Sequence, residues 1–155
     1  NGLAQWYVLE QLQAFKSGVR GSHSKDPVGM EMKPMAALLT DRQLAQAATY
    51  VSSIPPRGAP ATLDGDAVRG KTLYSTCVAC HGPRARGNKT LHAPQLAGQS
   101  DWYLVRQLEK YTTGIRGSAP GDTWGAQMRS SALVLPDRRA ITDVVTYINA
   151  LQDIN

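Results

Sequence analysis

The stretch Cys77-Val78-Ala79-Cys80-His81 constrains the fold of this chain most, because it can fix a large planar cofactor covalently. C-x-x-C-H is the pattern of covalent haem attachment, in which two thiols on one helical turn form thioether bonds with the two vinyl groups of a haem. The histidine that follows can present an imidazole nitrogen to the iron. We therefore expect one covalent haem c, attached through Cys77 and Cys80, with His81 as an iron ligand.

Three other roles of a paired cysteine agree less well with the sequence. A zinc site needs about four ligands, and the chain contains no cysteine besides this pair. A thioredoxin-like redox pair requires a βαβ setting, and the sequence has no such alternation of strands and helices. A disulfide across two residues would leave His81 without a role.

Charge and hydropathy limit the partners of the chain. The net charge of +5 favours association with an acidic protein, whereas the scattered basic residues form no run and argue against nucleic acid. No apolar run approaches the roughly 18 residues that a membrane span needs. A chain of 155 residues can bury a core in one domain or in two small ones.

The motif also implies a location, because haem is attached in this way outside the cytoplasm. We expect a periplasmic protein or the periplasm-facing domain of a membrane-anchored one. The sequence shows no signal peptide and starts at Asn1 rather than Met. We therefore expect a mature product, a proteolytic fragment or a soluble piece of something longer.

An internal repeat at an offset of 96 residues is the second most informative feature. Helical periodicity alone would not place aromatic, glycine, charged and methionine matches in one register, so we interpret the repeat as a duplication. The matches are Trp6-Tyr7 with Trp102-Tyr103, Gln11-Leu12 with Gln107-Leu108, Gly18 with Gly114, Arg20-Gly21-Ser22 with Arg116-Gly117-Ser118, Asp26 with Asp122, Gly29 with Gly125, Met32 with Met128, Ala36 with Ala132, Leu39 with Leu135, and Asp41-Arg42 with Asp137-Arg138.

Hydrophobic periodicity predicts helices and no strands, which makes the expected fold class all-α. The predicted helices run from 4 to 17, from Thr40 or Asp41 to 53, from 65 to 77 after a cap at Asp64, from 100 to 113, and from Pro136 to 152. The predicted loops are 19–39, 82–97 and the stretch that bears Trp124 and Met128. The proline-rich composition of 52–60 predicts a linker.

The order of helix, C-x-x-C-H, loop, helix, Met-bearing loop and helix over residues 61–153 resembles a class I cytochrome c. Within it, Pro94-Gln95-Leu96-Ala97-Gly98-Gln99, Trp102-Tyr103-Leu104 and Gln107-Leu108 are similar to the domains of the dihaem cytochrome c4 group. The duplication agrees with that group. The resemblance implies three main helices around a covalent haem.

The first repeat departs from the pattern of that group, because it starts beyond the point at which its own C-x-x-C-H would stand. We therefore divide the chain into a partial, haem-less cytochrome-like repeat (1–56), a linker (57–64) and a haem-binding cytochrome c domain (65–155). Either the haem-bearing segment of the first repeat is missing from this chain, or that half is degenerate and free of haem.

The resemblance implies further roles near the haem. Met128 occupies the family position of the sixth iron ligand, and a thioether ligand raises the reduction potential. Pro94 resembles the proline whose carbonyl accepts the N–H of the proximal histidine. Tyr103, Arg106 and Trp124 are candidates to pack on the haem or bind its propionates, with core packing or a surface charge as the alternative.

The sequence leaves two possible roles open for several other residues. His23 and His92 are distal ligands or solvated loop histidines, and Met32 is a core or vestigial residue. Trp102 joins the candidates for haem packing. Trp6 and Tyr7 are expected at the contact between the two halves.

The leading functional interpretation is a single-electron carrier of a respiratory chain rather than an enzyme. Its expected partner is an acidic redox protein, such as a terminal oxidase of which it could be a cytochrome module, or another respiratory complex. The alternative is a five-coordinate haem peroxidase or gas-binding protein. That alternative requires an iron without Met128, and the chain offers no obvious distal His–Arg pair. A third interpretation, compatible with the first, makes residues 1–56 a docking module.

Overall fold

A computed structural model describes residues 2–55 and 60–151, and over these two ranges the chain is helical with no strand, which confirms the expected all-α class. The α-helices are α1 (Gln5–Ser17), α2 (Pro27–Ala37), α3 (Asp41–Ser53), α4 (Ala67–Tyr74), α5 (Val78–His81), α6 (Asp101–Thr112), α7 (Thr123–Ala132) and α8 (Arg138–Ala150), with a 3-10 turn at Lys89–Leu91. No helix of the described part is long and apolar enough to cross a membrane.

The 96-residue repeat is visible as two similar sets of three helices. In the first set α1 packs against α2 and α3, and in the second α6 packs against α7 and α8. The second set is completed by α4, which crosses α8, and by the segment with α5 that carries the C-x-x-C-H motif. The second repeat therefore has the helices that a haem needs around it, and the first has only the later ones.

Two predicted loops contain helices instead, and the prediction of loops at these places was wrong. The side chain of Asp26 accepts a hydrogen bond from the Gly29 N–H at the start of α2, and Asp122 accepts one from Gly125 at the start of α7. Such caps satisfy N–H groups that lack a partner in the first turn. Glycines and prolines in these stretches hide the helical periodicity. Met32 and Met128 consequently lie on helices.

Two other helix starts differ from the prediction. The cap of α4 is Asp66, whose side chain accepts from Val68 and Arg69, rather than Asp64. The cap of α8 is Asp137, so Pro136 precedes the helix instead of occupying its first turn. At α4 the acidic residue nearer the helix provides the better-placed acceptor, and at α8 the side chain of Asp137 accepts from the Ala140 N–H.

The core of the second repeat forms where α4 crosses α8 and α6 packs alongside. Gly70 of α4 makes the close crossing possible, because a Cβ atom there would run into the backbone carbonyl of Asp143. The core residues include Tyr74, Leu104, Val105, Ile141, Val144, Val145 and Ile148, each at most 6 % exposed. Burial of these apolar side chains holds the three helices at one side of the haem motif.

The segment before α4 is anchored to α6, although residues 57–59 of the predicted linker lie outside the described ranges. Both the backbone N–H and the hydroxyl of Thr62 donate to the buried carboxylate of Asp101, at 2.5 and 3.0 Å. Burial alone would raise the pKa of Asp101, but hydrogen bonds from Thr62 and Trp102 outweigh it and lower that pKa. The carboxylate is therefore ionised and fastens the end of the linker.

Candidate haem-binding site

A cavity of about 410 Å³ lies beside the C-x-x-C-H segment and extends between the two repeats. Cys77, Cys80 and His81 line it together with Met128. Its wall is mainly apolar, with Leu104, Leu108, Val144 and Ile148 from α6 and α8. An apolar pocket next to two thiols can exclude water from a planar, mostly apolar cofactor.

The two cysteines stand on one short helical turn. Cys77 immediately precedes α5, and Cys80 lies within it. Both are free, half-buried thiols, and burial raises the pKa of Cys77. The Cys77 thiol is therefore protonated at neutral pH, and Cys77, Cys80 and His81 all line the cavity.

The imidazole of His81 is oriented by a backbone carbonyl. Its Nδ1 lies 2.9 Å from the carbonyl oxygen of Pro94, and the residue is only 4 % exposed. Burial lowers the pKa of His81, with partial opposition from the Pro94 hydrogen bond. A neutral ring that donates from Nδ1 leaves Nε2 as a free electron pair, which is the state required of an iron ligand.

The donor set fits a covalent haem. Met128 is a half-buried residue of α7 that lines the same cavity as His81. Two thiols, a neutral imidazole and a thioether around an apolar cavity are the groups that c-type haem attachment and iron ligation use. The residues present agree with the cofactor that the motif predicts.

The structure brings only some of the other candidates to the cavity. Tyr103 and Trp124 line it, but Arg106 does not. Arg106 is exposed, and its guanidinium lies 5.9 Å from the centre of the Trp102 ring, which is itself 56 % exposed. Arg106 lies three residues along α6 from Tyr103, which is half-buried. The structure therefore does not support a haem contact for Arg106 or Trp102.

The two remaining histidines have different surroundings. His23 accepts a hydrogen bond from the Lys25 N–H within its own turn, away from the cavity. His92 lines the cavity, where its ring stacks on Trp124 at 4.3 Å and its Nδ1 lies 2.7 Å from the carboxylate of Glu10. His92 therefore ties the haem loop to α1 of the first repeat instead of standing as a solvated loop residue.

A group of four polar side chains between the repeats was missed in the sequence. Arg20 donates to Gln11 at 2.7 Å and to Gln107 at 3.1 Å, and Arg116 donates to Gln107 at 2.7 Å and to Gln11 at 2.9 Å. Each glutamine oxygen thus accepts from both arginines. The signal was present, because both pairs match at the 96-residue offset, but we interpreted the matches only as a duplication.

A buried ion pair also joins the repeats. Lys110 of α6 donates to the carboxylate of Asp26 at 2.6 Å, and Asp26 is 2 % exposed. Burial would raise the pKa of Asp26, but Lys110, the Gly29 N–H and the charge of Arg20 together lower it. With Trp6 against His92 at 6.0 Å, the two halves make a specific contact.

The family model for cytochrome c matches residues 67–152, which is more than half of the chain. Cytochrome c4 of Azotobacter vinelandii is 32 % identical, over 97 % of this chain and 74 % of that protein. The thiosulfate dehydrogenase electron acceptor of Stutzerimonas stutzeri is also 32 % identical, over 80 % of this chain but only 59 % of its own length.

Solved structures show the same architecture. Cytochrome c4 of Acidithiobacillus ferrooxidans superposes with a TM-score of 0.76 over 97 % of this chain and 86 % of that one, at 23 % identity. Reduced cytochrome c4 of Pseudomonas stutzeri gives a TM-score of 0.71 at 29 % identity, over 96 % and 81 %. The chain belongs to the cytochrome c family and is a cytochrome c4-like class I c-type cytochrome, an electron carrier rather than an enzyme.

Proposed function

We propose that this electron carrier holds one haem c through Cys77 and Cys80, with His81 and Met128 as the two iron ligands. The observation that carries the proposal is the bond of 2.9 Å between His81 and the Pro94 carbonyl, in a cavity that Met128 also lines. When bound, the haem supplies an iron that gains and loses one electron. Residues 65–155 form the haem-binding domain, 57–64 the linker and 1–56 a repeat that brings no haem motif.

Each of these residues has a separate task in the proposal. The two cysteines fix the cofactor in the cavity, and the Pro94 carbonyl sets the orientation and basicity of the His81 ring. Met128 would supply a thioether to the iron and favour its ferrous form, which suits electron transfer and disfavours oxygen chemistry. The apolar wall from α6 and α8 excludes water.

The distribution of charge suggests where a partner docks. Residues 67–100 contain five basic residues and no acidic one, whereas the rest of the chain has twelve basic and twelve acidic residues. The entire net charge of +5 therefore belongs to the haem-bearing segment. The five are Arg69, Lys71, Arg84, Arg86 and Lys89.

An acidic redox partner on that surface would approach the haem-bearing segment by electrostatic attraction. Relatives of this chain are named as an electron acceptor of thiosulfate dehydrogenase and as subunit FixP of a cbb3-type cytochrome c oxidase. We place this chain with a partner of that kind, a terminal oxidase or another respiratory complex, in the periplasm.

The peroxidase or gas-binding alternative finds no support among the relatives. In the cavity, His92 is already engaged by Glu10 and Trp124.

Replacing Met128 by Ala tests the ligand assignment. The variant should lose the absorption band of the methionine–iron bond in the oxidised protein and have a lower reduction potential, because a thioether stabilises ferrous iron. Met32→Ala removes the methionine at the matching position of the first repeat and should change neither property. Intact mass should show the mass of one haem on every chain.

An unchanged spectrum and potential in Met128→Ala would contradict the assignment of Met128. A chain with no added haem mass, or with two haems, would contradict the proposed cofactor. The two measurements separate ligation from attachment.

A further inference from the structure

The first repeat contributes to the wall of the cavity. Tyr7, Gln11 and Arg20 line it from the first repeat, facing residues of the second. Arg20 and Arg116 are the only Lys or Arg residues among the described residues that line it. The two positive charges of the cavity thus come one from each repeat.

The hydrogen bonds that hold the two guanidiniums close together run to neutral groups, and the carboxylate of Asp26 acts on Arg20 only at longer range. Gln11 and Gln107 each accept one hydrogen bond from Arg20 and one from Arg116. Within the described ranges, neither guanidinium forms an ion pair, because no carboxylate oxygen lies within 4.0 Å of it. Two like charges in a partly desolvated site repel each other, because the local dielectric screens them weakly.

The surroundings compensate this repulsion only in part. Arg20 lies over the ring of Phe15 at 4.6 Å and Arg116 over that of Tyr111 at 4.5 Å. Arg116 is 8 % exposed. The Nε of Arg20 is buried and has no hydrogen-bond partner among the described residues. A buried donor without an acceptor beside a second cation indicates a place for an anion.

The cofactor itself is an anion of the right kind. A haem has its two vinyl groups on one edge of the macrocycle and its two carboxylates on the opposite edge. Attachment of the vinyl edge at Cys77 and Cys80 would therefore leave the carboxylate edge for another part of the cavity. Two guanidiniums can neutralise two carboxylates, and arginine binds carboxylates with two parallel hydrogen bonds.

We propose that Arg20, from the first repeat, is a positioning residue for the carboxylates of the haem attached at Cys77 and Cys80 of the second repeat, acting together with Arg116. The first repeat then has a redox role, because its positive charge stabilises the more electron-rich ferrous state. This inference rests on the proposed haem attachment.

The test uses the haem-loaded full chain and the potential measured against pH. Arg20→Gln should lower the reduction potential, because loss of a nearby cation favours ferric iron. It should also move the pH dependence that the haem carboxylates cause to higher pH, because a carboxylate without its cation holds a proton more tightly. Arg42→Gln removes an exposed charge of the same repeat and should change neither the reduction potential nor its pH dependence.

Two more variants separate a direct role from a loosened interface. Gln11→Leu removes the amide that holds both guanidiniums but retains their charges, so its potential should stay close to that of the unchanged protein. Arg20→Lys keeps the charge with fewer donors. Its reduction potential should stay close to that of the unchanged protein, but the Raman bending band of the haem carboxylates should shift. This band also provides a test if the Arg20→Gln protein does not assemble.

The outcomes distinguish this inference from the function proposed above. Failure of the unchanged chain to carry haem would overturn both. A haem-loaded chain in which Arg20→Gln leaves the potential and its pH profile unchanged, or in which Arg20→Lys leaves the carboxylate band in place, overturns the role of Arg20 alone. An equal fall in potential in Gln11→Leu and Arg20→Gln also overturns it, because loosening would then explain the effect.

Discussion

Individual ion pairs of this protein differ in burial, and we therefore expect them to contribute unequally to its stability. The pair of Lys110 and Asp26 joins the repeats with side chains that are 18 % and 3 % exposed. The pair of Lys16 and Asp41 joins α1 to α3 at a similar distance of 2.8 Å, but its side chains are 34 % and 84 % exposed. An exposed pair is screened by water, whereas loss of one buried partner leaves the other charge desolvated.

Replacement of each lysine by Met tests this difference. Lys110→Met should reduce the free energy of unfolding by about 3 kcal/mol, because it leaves the carboxylate of Asp26 buried without its cation. Lys16→Met should cost at most about 1 kcal/mol, as is usual for an exposed pair. Urea unfolding of the haem-loaded protein measures both, and equal losses would show that the contact of Lys110 is not buried in solution.

At the level of helices, the sequence was informative where caps and periodicity agreed. Gly18 ends α1 with a φ of 79°, and Thr40 starts α3 with a reciprocal bond to Gln43, both at the predicted places. The sequence was misleading at α2 and α7. Their amphipathic periodicity is broken by Pro34 and by glycines. The two caps are evident only from the structure, in which Asp26 and Asp122 each accept a hydrogen bond from an N–H group in the turn that follows.

The close crossing of α4 and α8 can be tested by whether Gly70→Ala raises or lowers the stability of the protein. In the interior of a helix, Ala is more favourable than Gly by about 1 kcal/mol, so Gly70→Ala would stabilise an α4 with open space around it. Here the new Cβ would meet the carbonyl of Asp143 and lie 2.9 Å from the Cβ of Tyr147. We expect a net loss of about 2 kcal/mol from overpacking, measured by thermal or urea unfolding.

A control at Gly98 separates crowding from backbone strain. Gly98 has a φ of 81° and nothing within 4 Å of an added Cβ, so Gly98→Ala should cost only the left-handed conformation, about 1 kcal/mol. A Gly70→Ala protein as stable as the unchanged one would mean that α4 and α8 can move apart freely.

Across the whole molecule, the sequence revealed the repeat and the haem segment but not how the two halves share one cavity. The duplicated Trp and Tyr residues predicted a contact between the halves, and the structure places Trp6 beside His92 and Tyr7 in the cavity wall. The matching Trp102 is exposed. A repeat pattern records which residues correspond, whereas the surroundings of each copy also depend on the segment 61–96, which has no counterpart within this chain.

The concentration of the net charge on one segment predicts an effect of salt on electron exchange. A triply negative oxidant such as ferricyanide should react more slowly as ionic strength rises, because exposed charges are screened over about 8 Å at physiological salt. Changing Arg84, Arg86 and Lys89 to Gln should lower the rate at low salt and flatten its salt dependence. All three are exposed and lie in the loop that follows the haem motif.

The matched control changes Lys25, Lys33 and Arg42 of the first repeat to Gln, which alters the net charge by the same amount at exposed positions. If the local charge of the haem segment steers the oxidant, this control should keep most of the salt dependence. Stopped-flow measurements from low to high salt compare the three proteins. Identical behaviour of the two triple variants would show that net charge alone acts, and a flat rate in the unchanged protein would remove the role given to this segment.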